Sequence, residues 1–124
     1  TSLQDAIDFA KAGQTITLIS NISSKDIIVI NKAITLDGNG KTLTSTAGRA
    51  INVSGANGVT IQNLTINCSG ERAINIIQNA TNVTIENVDN GMRLGWIVST
   101  ANTSSNTNGN YWLYLDDIKV QIKK

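Results

Sequence analysis

Ala50-Ile51-Asn52-Val53 leading to Val59-Thr60-Ile61-Gln62-Asn63-Leu64, and Ala73-Ile74-Asn75-Ile76 leading to Val83-Thr84-Ile85-Glu86-Asn87-Val88, are near copies of one phrase. Position 50 maps onto 73 and position 59 onto 83, offsets of 23 and 24, so one residue is inserted in the turn between the two parts. Self-similarity at this spacing marks a solenoid, in which a unit too small to bury its own apolar face buries it against its neighbours. Within a unit the period is two. Ile51 and Val53, Val59 and Ile61, and Leu64 and Ile66 are expected inside, with Asn52, Thr60 and Thr65 outside. The second copy repeats this with Ile74, Ile76, Val83, Ile85 and Val88. Bends at Gln62-Asn63 and Glu86-Asn87 divide each unit into three short strands.

Working outward, Ile34-Thr35-Leu36-Asp37-Gly38 fits the same frame 25 positions before Val59, and Leu113-Tyr114-Leu115-Asp116-Asp117-Ile118-Lys119-Val120 fits it downstream. Parallel stacking sets equivalent residues about 4.8 Å apart, so Asn63 and Asn87 are expected to form an amide ladder inside the bend, with Asp117 in the same register. A competing local reading closes Asp37-Gly38-Asn39-Gly40 into an antiparallel hairpin, which breaks the repeat. At the N-terminus Leu3, Ala6, Ile7 and Ala10 recur at helical spacing. Ser2 is the candidate N-cap, Asp5 follows three positions on, Lys11 lies in the last turn and Gly13 follows the end, predicting a helix over 2–12. The organisation expected is one all-β domain: capping helix 2–12, solenoid turns 14–98, a Ser-, Thr-, Asn- and Gly-rich loop 99–110, and a last turn 111–122, four to five turns in all.

The chain has 124 residues, 40% of them hydrophobic and 15% charged, enough for a continuous core. A net charge of +1 gives no field that would attract nucleic acid or a membrane surface. No apolar run reaches the roughly 18 residues of a membrane span, so membrane insertion is not expected. The sequence opens on Thr1 without a basic, apolar leader and reads as a mature or excised piece. The absence of His excludes every His-based triad, His-ligated metal site and His pH switch. Cys68 stands alone and reads as a buried thiol. Absence of Pro and abundance of Asn, Thr, Ile and Gly fit strands joined by tight turns.

The capping segment Leu3 to Gly13 followed by Thr15-Ile16-Thr17-Leu18, the stretch Ala33-Ile34-Thr35-Leu36-Asp37-Gly38-Asn39-Gly40-Lys41-Thr42-Leu43, and Gly58-Val59-Thr60-Ile61-Gln62-Asn63-Leu64-Thr65-Ile66 together resemble right-handed parallel β-helix proteins of the pectin-lyase-like superfamily. The resemblance implies an N-terminal helix covering the open end of the coil. It also implies carbohydrate as the substrate class, since that superfamily includes polysaccharide lyases, glycoside hydrolases, tailspikes and adhesins. Such proteins are usually much longer, so this chain reads as a fragment, a module or a minimal designed solenoid.

A glycosidase needs two carboxylates converging on one exposed face, one of them protonated. Glu71, Glu86, Asp89, Asp116 and Asp117 are available; Glu86 and Asp116 occupy matching bend positions on one edge, but no pair of neighbouring Asp residues shares one outward strand face, and catalysis is not expected. A lyase needs carboxylates for a cation and an Arg beside the uronate. Arg49 and Arg72 each precede an Ala-Ile-Asn strand and should stack, with Arg93 nearby. This row could grip an anionic glycan, or Glu71 and Asp89 could neutralise it. Trp96 is expected in the core. Trp112 and Tyr114 share the outer face of one strand, where sugar rings stack well. Thr35, Thr60 and Thr84 form a row of the kind an ice-binding surface uses, and also what strand propensity supplies by default. Matches to Asn-x-Ser/Thr, including Asn63-Leu64-Thr65 and Asn79-Ala80-Thr81, arise readily in such a composition. The expectation is a non-catalytic structural or carbohydrate-binding module of an extracellular or cell-surface protein. Its ligand residues would be Trp112, Tyr114, Arg49, Arg72 and Arg93, its partner a polysaccharide or glycan, with no cofactor or metal. A polysaccharide-degrading fragment is the alternative.

Overall fold

A computed structural model of the chain describes residues 2–90, 98–100, 111–115 and 118–122, with side chains through Asp89. It opens on one helix, α1 (Leu3–Phe9), followed by β1 (Thr15–Thr17), β2 (Ile22–Ser24) and β3 (Ile28–Ile30) as the first coil. The second coil is β4 (Thr35–Asp37), β5 (Thr42–Ser45) and β6 (Arg49–Ser54), and the third is β7 (Thr60–Cys68) and β8 (Arg72–Ile77). β9 (Val83–Asn90) and β10 (Val98–Thr100) stack on the third coil, and β11 (Tyr111–Leu115) and β12 (Ile118–Ile122) close the described chain. One sheet runs β1-β4-β7-β9-β12-β11, with β2 and β5 joined to the far half of β7, and a second sheet runs β10-β8-β6-β3. The result is a parallel β-solenoid of about three turns, shorter than the four to five expected.

The repeat sets the register. Ile51 pairs with Ile74 and Val53 with Ile76, while Thr60 pairs with Thr84 and Leu64 with Val88. The inserted residue lies between Ser54↔Ile77 and the Asn57↔Thr81 bridge, where Gly55 and Ala56 of one coil face Gln78, Asn79 and Ala80 of the next. All eleven positions expected inside the two copies are buried. They stack in files, such as Leu36, Ile61 and Ile85, each at most 1% exposed. Each such aliphatic side chain contributes about 1.5–3 kcal/mol of burial, and every coil beyond the first buries its neighbour's face as well as its own. β4 and β5 both pair in parallel with β7, which rules out the antiparallel hairpin at Asp37-Gly38-Asn39-Gly40.

The helix closes the first coil in two ways. Ile7 is fully buried against the core. Gln4 treats the edge of β3 as a neighbouring strand would: its Oε1 accepts the Val29 N–H at 2.8 Å and its Nε2 donates to the Val29 carbonyl at 3.0 Å. A capping box fixes the start, with Ser2 Oγ accepting the Asp5 N–H and the Asp5 carboxylate accepting the Ser2 N–H. The helix ends at Phe9 rather than at residue 12, because Ala10 turns extended (φ −67°, ψ 149°) and Lys32 Nζ takes the carbonyls of Asp8 and Ala10.

Three expectations are corrected downstream. Ser99 and Thr100 belong to β10, parallel to β8 with Val98 on Ile74, so the polar loop does not begin at 99 and the repeat outlasts Asn90. β11 and β12 run antiparallel, Tyr111 opposite Ile122, so residues 111–122 are not one solenoid turn. Ile118, not Leu113, pairs with Val83, so the strands do not adopt the downstream frame laid from Leu113. The apolar alternation is the same on both sides of Asp116-Asp117, so either segment satisfies the core, and a two-residue connection favours pairing the segments with each other. Trp96, Arg93, Asp116 and Asp117 lie outside the described residues.

Candidate functional site

The bend that divides β7 and β9 is made by Asn63 (φ 55°) and Asn87 (φ 54°), and Asn39 (φ 51°) lies in the corresponding connection of the second coil. A single left-handed residue reverses the side-chain alternation at that point, and Asn tolerates this conformation where branched residues do not. Stacking the bends brings the amides into line as expected: Asn87 Nδ2 donates to Asn63 Oδ1 at 2.8 Å. Sequence reading missed where the line goes next. Asn63 Nδ2 donates to Asp37 Oδ1 at 3.4 Å, Gln62 Nε2 donates to Asp37 Oδ2 at 3.0 Å, and the Asn39 N–H donates to Asp37 Oδ1 at 2.8 Å. The backbone N–H of Asn39 foremost, then the Gln62 amide, holds the Asp37 carboxyl below the usual carboxylate range, with burial opposing and Asn63 assisting.

Outside this bend runs a shallow groove of about 390 Å³, lined among others by Asp37, Asn39, Asn63, Thr65, Asn87 and Asp89. It follows the solenoid axis, because its lining repeats from coil to coil: Asn63 and Asn87 stack at the bend, and Thr65 and Asp89 pair in register. Asp37, Asn63 and the Nδ2 of Asn87 are engaged with one another. Asp89 is exposed and has no hydrogen bond among the described residues, which leaves its carboxylate and the half-buried Thr65 side chain facing outward. The groove is therefore hydrogen-bonding, anionic and uncovered. Only Leu64 contributes an apolar side chain.

Arg49 and Arg72 come together as expected, paired in register on β6 and β8. Glu71 lies between them, 3.0 Å from the Arg72 guanidinium and 3.8 Å from that of Arg49, so one carboxylate bridges the row. Asp89 has no ion pair with either. Trp112 and Tyr114 occupy alternate positions of β11, two strands beyond the bend of β9: Trp112 pairs with Gln121, beside Ile122, which pairs with Val88. This puts Trp112 in line with the end of the groove, a juxtaposition that only the antiparallel β11–β12 pairing creates. Arg93 is outside the described residues.

The threonine row exists and is longer than expected, running Thr15, Thr35, Thr60, Thr84. Lys119 takes the next position, and the adjacent file is Thr17, Asp37, Gln62, Glu86, so the face is interrupted by charge. Asp37 and Glu86 stand two strands apart, about 9.6 Å at the backbone, near the upper end of the separation an inverting glycosidase uses. Such an enzyme also needs a carboxylic acid kept protonated, and Asp37 is pushed the other way. Among the described residues no three acidic or thiol side chains gather into a metal-binding group. Comparison with protein-family models, curated proteins and solved structures finds no match.

Proposed function

We propose that the chain is a non-catalytic carbohydrate-binding β-helix module, similar in build to the pectin-lyase-like superfamily, from an extracellular or cell-surface protein, and that the glycan lies along the bend groove. The groove itself is the observation that carries this reading: an open, polar furrow parallel to the axis, presenting hydroxyl and carboxylate groups once per coil. An extended sugar chain offers hydroxyls at a comparable repeat, and Trp112 and Tyr114 would supply stacking surface beyond Asp89. Anionic groove walls favour a neutral or amino sugar over a uronate. Arg49, Arg72 and, by sequence, Arg93 would grip an anionic chain only by displacing Glu71, which lowers what that row can contribute.

A glycan-binding screen of the whole chain followed by calorimetric titration tests the reading. Asp89→Ala and Trp112→Ala should each weaken binding by about five- to tenfold, the size of one charge-assisted hydrogen bond or one aromatic contact. Arg72→Ala should leave it unchanged. Absence of binding to any neutral or amino glycan, or an affinity in the Asp89→Ala and Trp112→Ala chains equal to that of the parent chain, overturns it. A purely structural role is the second reading, favoured by the ladder and the Glu71 bridge, which use polar groups internally.

A further inference from the structure

We propose that Asn79 is an N-glycosylation site, the acceptor left most open among the described residues with side chains. Six Asn-x-Ser/Thr triplets fall within the described residues with side chains, beginning at Asn21, Asn52, Asn63, Asn67, Asn79 and Asn82. The fold uses or shields most of them. Asn63 Nδ2 donates to Asp37 and Asn82 Nδ2 donates to Asn57 Oδ1 at 2.7 Å, so in both the nitrogen that would carry the sugar is engaged. Asn52 is half-buried and accepts from Asn75 at 3.3 Å, and Asn67 is half-buried with its Oδ1 shut off from solvent. Asn21 is exposed and its Nδ2 is unengaged among the described residues, but its Oδ1 accepts the Thr42 N–H at 2.9 Å, which fixes the amide against the next coil.

Asn79 differs because it sits on the inserted residue of the repeat. Three residues of the third coil, Gln78, Asn79 and Ala80, span the gap that Gly55 and Ala56 span below, and the surplus is taken up in a tight turn. Gln78 (φ 56°) and Asn79 (φ 59°) are both left-handed, and the Ala80 N–H donates to the Ile77 carbonyl at 3.2 Å. This turn stands the Asn79 side chain out of the coil. Asn79 is exposed, and neither its amide nor the Thr81 hydroxyl two residues on has a hydrogen bond among the described residues. Asn79 is exposed and Thr81 half-buried, and engaging both side chains breaks no hydrogen bond of the fold.

The co-reactant is a lipid-linked oligosaccharide pyrophosphate. The Asn79 amide nitrogen attacks C1 of its first sugar, the C1–N bond forms, the C1–O bond breaks with its electron pair leaving on the lipid pyrophosphate, and the amide proton passes to a base of the transferase. A bulky, solvated modification of this kind belongs on a surface turn.

The folded chain carrying Asn102→Gln, which removes the Asn102-Thr103-Ser104 triplet outside the described residues, should gain one glycan when incubated with a purified oligosaccharyltransferase, lipid-linked oligosaccharide and a control acceptor peptide. Enzymatic release in heavy-oxygen water and peptide mass analysis should place it at Asn79. Asn79→Gln and Thr81→Ala should reduce transfer to background, Thr81→Ser should retain it, and Asn21→Gln should not change it, with circular dichroism showing all four folded. Transfer confined to another asparagine, transfer that survives Asn79→Gln, or no transfer to the folded chain while the control peptide is glycosylated overturns the proposal. The result is independent of whether the groove binds glycan.

Discussion

Replacing Gly38 by alanine is the sharpest test of how the coils meet. Gly38 is not held at a left-handed φ, so on backbone grounds alone Gly38→Ala should stabilise by about 0.4–1 kcal/mol, through a less disordered unfolded chain. The packing predicts the opposite sign. A Cβ there would stand 2.5 Å from the Asn63 carbonyl oxygen and 2.6 Å from both Cα and Cβ of Leu64. These are backbone or backbone-anchored atoms of the next coil, and no rotamer change relieves them. The second and third coils must part at the bend, which strains the Gly38 N–H to Gln62 carbonyl bond of 2.8 Å and the Gly40 N–H to Asn63 carbonyl bond of 2.9 Å. Overpacking against fixed neighbours costs about 1–3 kcal/mol, and two weakened hydrogen bonds add about 1 kcal/mol each, so a loss of about 3–5 kcal/mol is expected. Gly48 supplies the control: its Cβ would meet nothing within 4 Å, and its φ is likewise not left-handed, so Gly48→Ala should be neutral or slightly stabilising. Urea titrations followed by circular dichroism measure both. An unfolding midpoint for Gly38→Ala equal to or above that of the parent chain refutes the argument.

Asp37 gives a pH dependence with a defined sign. Its folded pKa lies below the 3.8 of the free side chain, so the stability it contributes is present above 3.8 and is lost as pH falls through the lower folded value. Asp37→Asn should cost about 1 kcal/mol near neutrality, where a charged acceptor is replaced by a neutral one, and the difference from the parent should vanish in acid; an undiminished gap there contradicts it. Gln4→Ala strips β3 of its side-chain partner, exposes the Val29 N–H and carbonyl, and should cost about 1–3 kcal/mol; hydrogen exchange at Val29 should accelerate while exchange at Ile61 follows global stability only. Ile61→Ala, at a fully buried position in the middle file, should cost about 2–5 kcal/mol by thermal or urea unfolding.

The coils were legible because their determinant is local and repeated. Alternation at Ile51, Val53, Val59 and Ile61 fixes which face is inside, and recurrence at 23 and 24 residues fixes the stacking, so files such as Ile51–Ile74 follow from spacing alone. The features left unread depend on what one coil sets beside another. Gln4 carries no mark that it will complete the edge of β3, 25 residues away. Gly38 looks like an ordinary turn glycine until Leu64 lies on top of it. The Gly38-Asn39-Gly40-Lys41 segment lengthens the coil of Asp37, and that length hides its place at the foot of the ladder. The Arg49–Arg72 pair was readable from register, whereas its bridging by Glu71 was only one of the open readings.

The ladder's direction also shows why an aspartate is a poor residue to continue it. Each amide that bridges coils among the described residues donates toward the preceding one: Asn87 to Asn63, Asn63 to Asp37, Asn82 to Asn57, Asn75 to Asn52 and Gln62 to Asp37. An amide that donates backward turns its carbonyl oxygen forward, so every further member of the file must donate. A carboxylate has no proton to give, which makes Asp suitable at the first position of a file and unsuitable at any later one. Asp37 stands at that first position, accepting from two side chains of the next coil and from the Asn39 N–H of its own. An aspartate placed after Asn87 would have set a carboxylate against a carbonyl oxygen, two acceptors face to face. The pairing of Ile118 rather than Leu113 with Val83 avoids this, and it sets Gln121, between the Val120–Ile85 and Ile122–Val88 pairs, beside the bend instead.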